Sequence, residues 1–396
     1  MAVNDEYGAV PYNGMPVVAP DIAQVAGGTL STFNDKVRSL KSLNIIVAGK
    51  TGVGKSTLIN SVFREDFAST GVGKPVTEHI QKYTKKGMPL AIYDTRGFEL
   101  SRENLKQAQQ EIEEAIEEGA YSNDLSDKIH CLWYCINASA GRVEQAEIDW
   151  LKSITGESTM TQVPVIIVLT QAMDETQARS IKSVLQNENL HVVQIVPVLA
   201  QDRVLNISGQ HIVQKSFGLD VLIQVMAELL PDELQSTLQN VQKASLKLKQ
   251  KKANEIVSAA ASAAAITGAS PIPFSDCAVL IPAQITMLAS ITAVYGIKVE
   301  ENLLKTLISA TIGVGGATVL GRTAVSTILK FIPGVGTVVG GAISAVTAAM
   351  ITGALGEVYI KIMDSVCRGE MEISKLSSPA GRDEMLELFK QELSKK

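Results

Sequence analysis

The run LNIIVA at residues 43–48 is apolar, largely β-branched and free of charge, the pattern of a strand buried on both faces of a parallel sheet. Further apolar runs follow at PLAIYD (89–94), KIHCLWYCIN (128–137), VPVIIVLT (163–170) and VVQIVPV (192–198). Helical spacing of apolar positions fills most of the intervals, over Arg102–Gly119, Val143–Ile154 and Asp174–Gln186. Strands alternating with helices predict βαβ units. The expected fold class is therefore α/β, with a mainly parallel sheet that takes ligands at the carboxyl ends of its strands.

The pattern differs at both ends of the chain. Residues 1 to about 20 are rich in Gly, Pro, Asn and Tyr and read as a flexible arm, with a helical stretch from Asp21 to about Ser42. After about residue 231 a helical sequence carries five lysines, at 243, 247, 249, 251 and 252, and then charge nearly disappears. Between Ile256 and Ile297 the sole charged residue is Asp276, and Phe331–Gly356 has none, which predicts an all-α, Ala/Gly-rich helical domain. The expected organisation is an arm and helix (1–42), an α/β domain (43–231), a basic linker helix (232–254), a hydrophobic helical domain (255–370) and a C-terminal amphipathic helix (371–396). That last helix has Met385, Leu386, Leu388, Phe389 and Leu393 as its apolar residues.

The hydrophobic half is long enough to span a bilayer, but Pro271, Pro273, Asp276 and Pro282 interrupt it, and Ala, Ser and Thr keep it weakly lipophilic. Gly334, Gly336, Gly340, Gly341, Gly353 and Gly356 permit close helix contact, in lipid or in a tightly packed soluble bundle. The expectation is a helical domain with peripheral or conditional contact with a membrane surface, true insertion being the alternative.

Composition narrows the function. At 396 residues the chain exceeds what one core usually serves, and 46% apolar with 19% charged residues argues against a mostly disordered chain. A net charge of −5 gives no global reason to bind nucleic acid, and none is expected as a partner. Cys131 and Cys135 sit in the strand-like run HCLWYC, Cys277 and Cys367 lie far apart, and His79, His130, His191 and His211 show no metal spacing. The start of the chain lacks a basic, apolar secretory pattern, so a cytoplasmic location is expected.

The chemistry is concentrated at Gly49-Lys50-Thr51-Gly52-Val53-Gly54-Lys55-Ser56, a complete G-x-x-x-x-G-K-[ST] loop between a strand and a helix, and Thr57 directly after it is a further candidate nucleotide-binding residue. Glycines let backbone N–H groups wrap phosphates, and the helix presents its positive end to the same charge. Lys55 is the expected partner of the β- and γ-phosphates, and Ser56 a ligand of Mg²⁺. Asp94-Thr95-Arg96-Gly97 ends the strand PLAIYD where a second acidic strand end is expected; Asp94 would hold Mg²⁺ and the Gly97 N–H would meet the γ-phosphate. Between them, in the polar segment Gly71–Thr77, Thr77 is the candidate threonine that meets Mg²⁺ and γ-phosphate in the triphosphate state.

Loop, threonine and DxxG in this order resemble the first three motifs of the Ras-like GTPase superclass, and the loop wording is similar to septin-like branches that include chloroplast-envelope import GTPases. The runs PVTEHI, DTRGFE and WYCINASAGRVEQAEIDWL, with the Ala/Gly-rich half, resemble bacterial-type GTPases fused to an uncharacterised hydrophobic helical domain, distantly similar to immunity-related GTPases. The resemblance covers residues 43 to about 370 and implies a GTP/GDP-binding, Mg²⁺-dependent hydrolase acting as a switch, with self-association through the nucleotide domain. The family expects Asn/Thr-Lys-x-Asp for guanine; here the strand ends in Thr170-Gln171-Ala172-Met173-Asp174, without the Lys and with the Asp one residue late, which leaves ATP as an alternative and a plain helix cap as the other reading of Asp174. Ala200 is the candidate backbone contact to the guanine carbonyl, and Phe98 stands where Ras-type enzymes carry the water-orienting Gln. Gly52 replaces the Asn of potassium-activated relatives, so slow intrinsic hydrolysis is expected, as is the alternative of a nucleotide-holding scaffold.

Overall fold

The structure, a computed structural model, describes residues 31, 35, 38–63, 72–75, 80–95, 102–156, 163–207, 210–267, 275–297, 345–372, 387, 388 and 391. Thr77, Gly97 and Phe98 lie outside the described residues, as do most of the N-terminal arm and of the C-terminal amphipathic segment.

In chain order the elements are β1 (Leu43–Ala48), α1 (Lys55–Val62), β2 (Val72–Pro75), β3 (Ile80–Thr84), β4 (Leu90–Thr95), α2 (Arg102–Ala120), β5 (Cys131–Asn137), α3 (Gln145–Thr155), β6 (Val165–Thr170), α4 (Glu175–Asn187), β7 (Gln194–Pro197), β8 (Arg203–Ile207), β9 (Gln210–Gln214), α5 (Leu219–Leu229), α6 (Asp232–Val241), α7 (Leu246–Thr267), α8 (Ser275–Tyr295) and α9 (Ala345–Cys367). Seven strands form one sheet in the order β2-β3-β4-β1-β5-β6-β7. The pairs from β4 through β1, β5 and β6 to β7 are parallel, and β2 and β3 add an antiparallel edge. The mainly parallel α/β fold is thus as the hydrophobic runs predict. One correction falls on the polar segment 71–77: Val72–Pro75 is a strand, pairing with β3. β2 is an edge strand, the place in a sheet where proline is tolerated.

Strand alternation explains the two-sided core. Leu43, Ile45 and Val47 of β1 pack with Leu58 and Val62 of α1, Leu222 and Met226 of α5, and Leu234 and Leu238 of α6. Ile46 and Ala48 face the other way, toward Ile112 and Ile116 of α2, Leu151 and Ile154 of α3, and Ile181 and Leu185 of α4. Each central strand therefore needs apolar residues at consecutive positions, and the uninterrupted run LNIIVA supplies them. On β5, Trp133 stacks on Phe63 at the end of α1, with centroids 5.8 Å apart, and Tyr134 packs on Trp150 of α3 at 4.8 Å. At the amino end of the sheet the buried His130 accepts from the Asn44 N–H through Nδ1, and Nε2 lies 3.0 Å from the Leu125 carbonyl. Burial lowers its pKa, consistent with a neutral ring pinned between two backbones.

Internal packing divides the chain into two compact units, Arg38–Lys249 and one that takes in the described residues from Gln250 onward. In the second unit α8 and α9 run in the same direction, because their polar pairs ascend together. Gln284 donates to Thr352 at 3.2 Å, Thr292 and Tyr359 share a hydrogen bond at 2.6 Å, and Tyr295 donates to Asp364 at 2.5 Å. Gln250 donates to the other oxygen of Asp364 at 2.5 Å, so this buried carboxylate is paired on both sides. Among the described residues no helix is long and apolar enough to cross a membrane.

Gly356 of α9 lies against Val257 of α7 so closely that a Cβ there would meet Val257 Cγ2 at 2.4 Å. Alanine would gain about 1 kcal/mol in helix propensity, but the β-branched valine cannot swing aside, and overpacking costs about 1–3 kcal/mol. Gly356→Ala is therefore expected to lower the thermal midpoint of unfolding, and adding Val257→Ala to recover most of the loss. A more stable Gly356→Ala protein would contradict this contact.

Candidate nucleotide-binding site

The site gathers at the carboxyl ends of β1, β4, β5, β6 and β7. The Gly49–Gly54 loop leaves β1 and enters α1 through Gly54, which has φ of 100° and supplies no side-chain cap. The first turn of α1 carries no acidic residue, so the helix brings no negative charge of its own to its positive end. Gly49, with φ of 140°, approaches β5 so closely that a Cβ would come within 2.4 Å of the Cys135 carbonyl oxygen. The glycine is required twice there, by conformation and by space.

Lys55 is buried within this loop, its Nζ donating to the carbonyls of Gly49 at 2.8 Å and Lys50 at 3.2 Å. Burial lowers its pKa, while Asp94 and the Cys135 thiol act in the opposite direction. Asp94, at the end of β4, has a buried Oδ1 with no hydrogen-bond partner. Burial pushes its carboxyl up to about 6, against the pull of Lys55. A buried oxygen left unsatisfied beside an ammonium is expensive, and marks a place where a further cation or donor would be stabilised. The neighbouring Ser56 is exposed and offers a hydroxyl, and Ser56 and Asp94 both carry hard oxygen donors of the kind that Mg²⁺ prefers. Burial holds the Cys135 thiol up at about 12, which keeps it protonated.

Two ties that sequence reading did not reveal hold the loop from outside. Lys50 Nζ lies 3.1 Å from Glu144 and 3.0 Å from Glu147, at the start of α3. Glu147 is buried and also accepts from the Tyr134 hydroxyl at 3.0 Å. Glu144, the N-cap residue of α3, makes no cap bond with its side chain, which goes to Lys50 instead. On the other side Gln171, in the left-handed region with φ of 52°, donates from Nε2 to the Gly52 carbonyl at 3.2 Å. The Ser139 hydroxyl donates to the Gln171 carbonyl at 2.7 Å. The Thr170 hydroxyl sits between the carbonyls of Val53, at 2.5 Å, and Ile136, at 3.1 Å. The partner of Lys50 lies 94 or more residues away along the chain, so no local pattern could have pointed to it.

The structure places Gly49, Lys50, Thr51, Gly52, Val53, Gly54, Lys55, Ser56 and Thr57 on one continuous loop and helix start, with Thr170 and Gln171 against it. Asp174 caps α4, its Oδ1 accepting from the N–H groups of Thr176 at 2.8 Å and Gln177 at 3.3 Å. Ala200 lines an open depression of about 540 Å³ that it shares with Asn60, Gln201, Ser216 and Lys243.

A mainly parallel sheet with a glycine loop between β1 and α1, and an aspartate at the end of β4, defines a P-loop nucleotide-binding fold. The chain belongs to the AIG1 family, which matches residues 43–255, and residues 233–382 match a domain of unknown function, DUF697. Human septin-12 is 24% identical over 196 residues, covering 43% of this chain and 54% of that protein. The tRNA modification GTPase MnmE of Ruthia magnifica subsp. Calyptogena magnifica is 30% identical over 119 residues, covering 28% of this chain and 27% of the relative. Translocase of chloroplast 90 of Arabidopsis thaliana is 44% identical over 59 residues, 14% of this chain and 7% of that one. The chain thus spans about half the length, or less, of these relatives. Among solved structures, chloroplast translocon components atToc33 and psToc159, whose dimerization is described as important for GTPase activity, give a TM-score of 0.32 at 20% identity, covering 52% of this chain and 90% of that one. Toc33 from Arabidopsis thaliana with Mg²⁺ and GMPPNP gives 0.30 at 18% identity, covering 52% and 92%.

Proposed function

We propose that the chain binds GTP with Mg²⁺, hydrolyses it to GDP and phosphate, and uses the difference between the two states as a switch. The observation that supports this best is the pair formed by Lys55 and Asp94, a cation folded onto its own loop beside a buried carboxylate oxygen without a partner. Phosphate would draw Lys55 off the carbonyls of Gly49 and Lys50, and Ser56 and Asp94 would hold the metal that neutralises the remaining charge. Thr77 and Gly97 would close on the γ-phosphate, and loss of that phosphate would release them. Asp174, Gln171 and the Ala200 N–H would frame the base. Intrinsic hydrolysis is slow in this reading and rises with self-association of the nucleotide domain. The output is a change in self-association or in contact of the helical domain with a membrane surface.

Calorimetry with GTP, GDP and ATP in the presence of Mg²⁺ tests the base assignment. Guanine nucleotides are expected to bind at least about tenfold more tightly than ATP, and Asp174→Ala to remove that preference, since each hydrogen bond to a charged group contributes about 1.5–3 kcal/mol. Equal binding of ATP would make Asp174 a helix cap alone and the protein an ATP-dependent switch. Phosphate release per molecule that stays negligible at every protein concentration would make it a nucleotide-holding scaffold.

A further inference from the structure

The two loops assigned to the base, residues 170–174 and 199–202, lean on the same four consecutive residues at the end of the β8–β9 hairpin. Gln214 donates from Nε2 to the Met173 carbonyl at 2.8 Å. Lys215 Nζ pairs with Asp202 Oδ2 at 2.7 Å, and the Ser216 N–H donates to Asp202 Oδ1 at 2.8 Å. Phe217 exchanges both backbone hydrogen bonds with Leu199, at 3.0 and 3.1 Å. Residues 215–217 thus hold the second loop, and Gln214 alone of the four reaches the first.

These ties differ in kind. The Leu199–Phe217 pair is backbone to backbone and survives any side-chain change that leaves the chain path intact. The Lys215–Asp202 pair is exposed, at 78% and 42% of the side-chain surface, and contributes little. The Gln214 bond is a side-chain donor to a carbonyl, and a substitution can cut it cleanly. Its acceptor matters because Met173 directly precedes Asp174. Fixing the Met173 carbonyl fixes the plane of the peptide that ends in the Asp174 nitrogen, and with it the direction from which the carboxylate is presented.

The spacing shows why such a brace is needed. The aspartate here follows Thr170 by one residue more than the Thr-Lys-x-Asp pattern, so the loop has a residue to spare. That loop is tightly turned, with the Met173 N–H donating to the Gln171 carbonyl at 2.8 Å and the Ala172 N–H to the Val198 carbonyl at 3.1 Å. Ser139 holds it from one side at Gln171, and Gln214 from the other at Met173. Asp174 spends Oδ1 on both of its cap bonds, so Oδ2 is the oxygen left for a base edge.

We infer that Gln214 is a positioning residue for base recognition, setting Asp174 through the Met173 carbonyl, and that hairpin β8–β9 joins the two base loops into one unit. This rests on the proposed reading of Asp174 as the base contact. The test uses the full chain with Mg²⁺ and compares Gln214→Glu, which keeps the shape but cannot donate, with Gln214→Ala and with Gln214→Lys, which restores a donor. Calorimetry reads the affinities for GDP, for inosine diphosphate, which lacks the 2-amino group, for ADP and for pyrophosphate. GDP is expected to bind about tenfold more weakly to the Glu and Ala variants, the size of one lost charged hydrogen bond. Inosine diphosphate should lose less, ADP and pyrophosphate should be unchanged, and the Lys variant should lie near the wild type. A uniform loss across all four ligands, or no loss of GDP affinity, would overturn the inference. If the wild type itself does not prefer GDP to ADP, the reading of Asp174 fails first. If it does prefer GDP and Asp174→Ala abolishes the preference while Gln214→Glu keeps it, the role of Gln214 alone is lost.

Discussion

Lys55→Ala is expected to weaken Mg²⁺-dependent GTP binding by roughly a hundred- to ten-thousandfold, from two charge-assisted contacts at about 1.5–3 kcal/mol each. The loss has a second source. The pull of Lys55 is what restrains the Asp94 carboxyl, already pushed up to about 6 by burial. Without the ammonium it rises further, and a protonated Asp94 is a poor ligand for a divalent cation. The sign of the pH dependence follows. In the wild type, Mg²⁺-dependent binding should weaken as pH falls through about 6, and in Lys55→Ala the decline should begin at higher pH. For the ligand-free protein the linkage runs the other way. A folded-state value near 6 against the ordinary 3.8 means that the folded protein holds the proton more tightly, so stability rises on acidification across that interval and is lost as pH rises through 6. Titration and scanning calorimetry at about pH 7.5, 6.5 and 5.5, on either side of the raised value near 6, check both statements. Binding by Lys55→Ala within about threefold of the wild type would remove the loop from the phosphate site.

Glu147→Ala is expected to destabilise the nucleotide unit strongly for a change at a polar residue. The side chain is 3% exposed and serves Lys50 with one oxygen and the Tyr134 hydroxyl with the other. Its loss leaves a buried tyrosine hydroxyl without its acceptor, at about 1–3 kcal/mol, and breaks an ion pair buried on one side. Lys50 is 25% exposed and keeps Glu144 at 3.1 Å, so the ion-pair loss falls below that of a fully buried pair. A total of about 3 kcal/mol corresponds to a fall of roughly 6–12 °C in the unfolding midpoint for a domain of this size. Glu147→Gln, which still accepts from Tyr134, should lose about half as much. A double-mutant cycle with Lys50→Met isolates the ion pair, and additivity within about 0.5 kcal/mol would show that Lys50 and Glu147 do not act together.

Much of the nucleotide unit was legible in the sequence because its strands are buried on both faces and so read as unbroken apolar runs. β1 spans residues 43–48 and β6 residues 165–170, within the predicted runs, and α2, α3 and α4 begin within two residues of their predicted starts. The glycine loop was legible because its parts are contiguous. What escaped was of two kinds. β2 is a short edge strand without alternation. The β8–β9 hairpin carries Val204, Leu205, Ile207, Ile212 and Val213 around a Ser-Gly pair, a turn signal that could have been used. Val204, Ile212 and Val213 are exposed, at 60%, 46% and 49%, and Leu205 is only half-buried, so these positions show no buried face that would impose a regular pattern. The second kind is the tertiary ties: Lys50 to Glu147, Ser139 to Gln171 and Gln214 to Met173 join positions 97, 32 and 41 residues apart, and periodicity carries no information about such pairs.

The placement of the two tryptophans has an optical consequence. Trp133 stacks on Phe63, where α1 ends, and Trp150 packs on Tyr134, whose hydroxyl bonds Glu147. The chain has no third tryptophan, so its intrinsic emission is divided between the far end of the phosphate-loop helix and the strut that holds Lys50. Phenylalanine at one site or the other would turn the protein into a spectroscopic gauge of a single arm of the loop, with no external label attached.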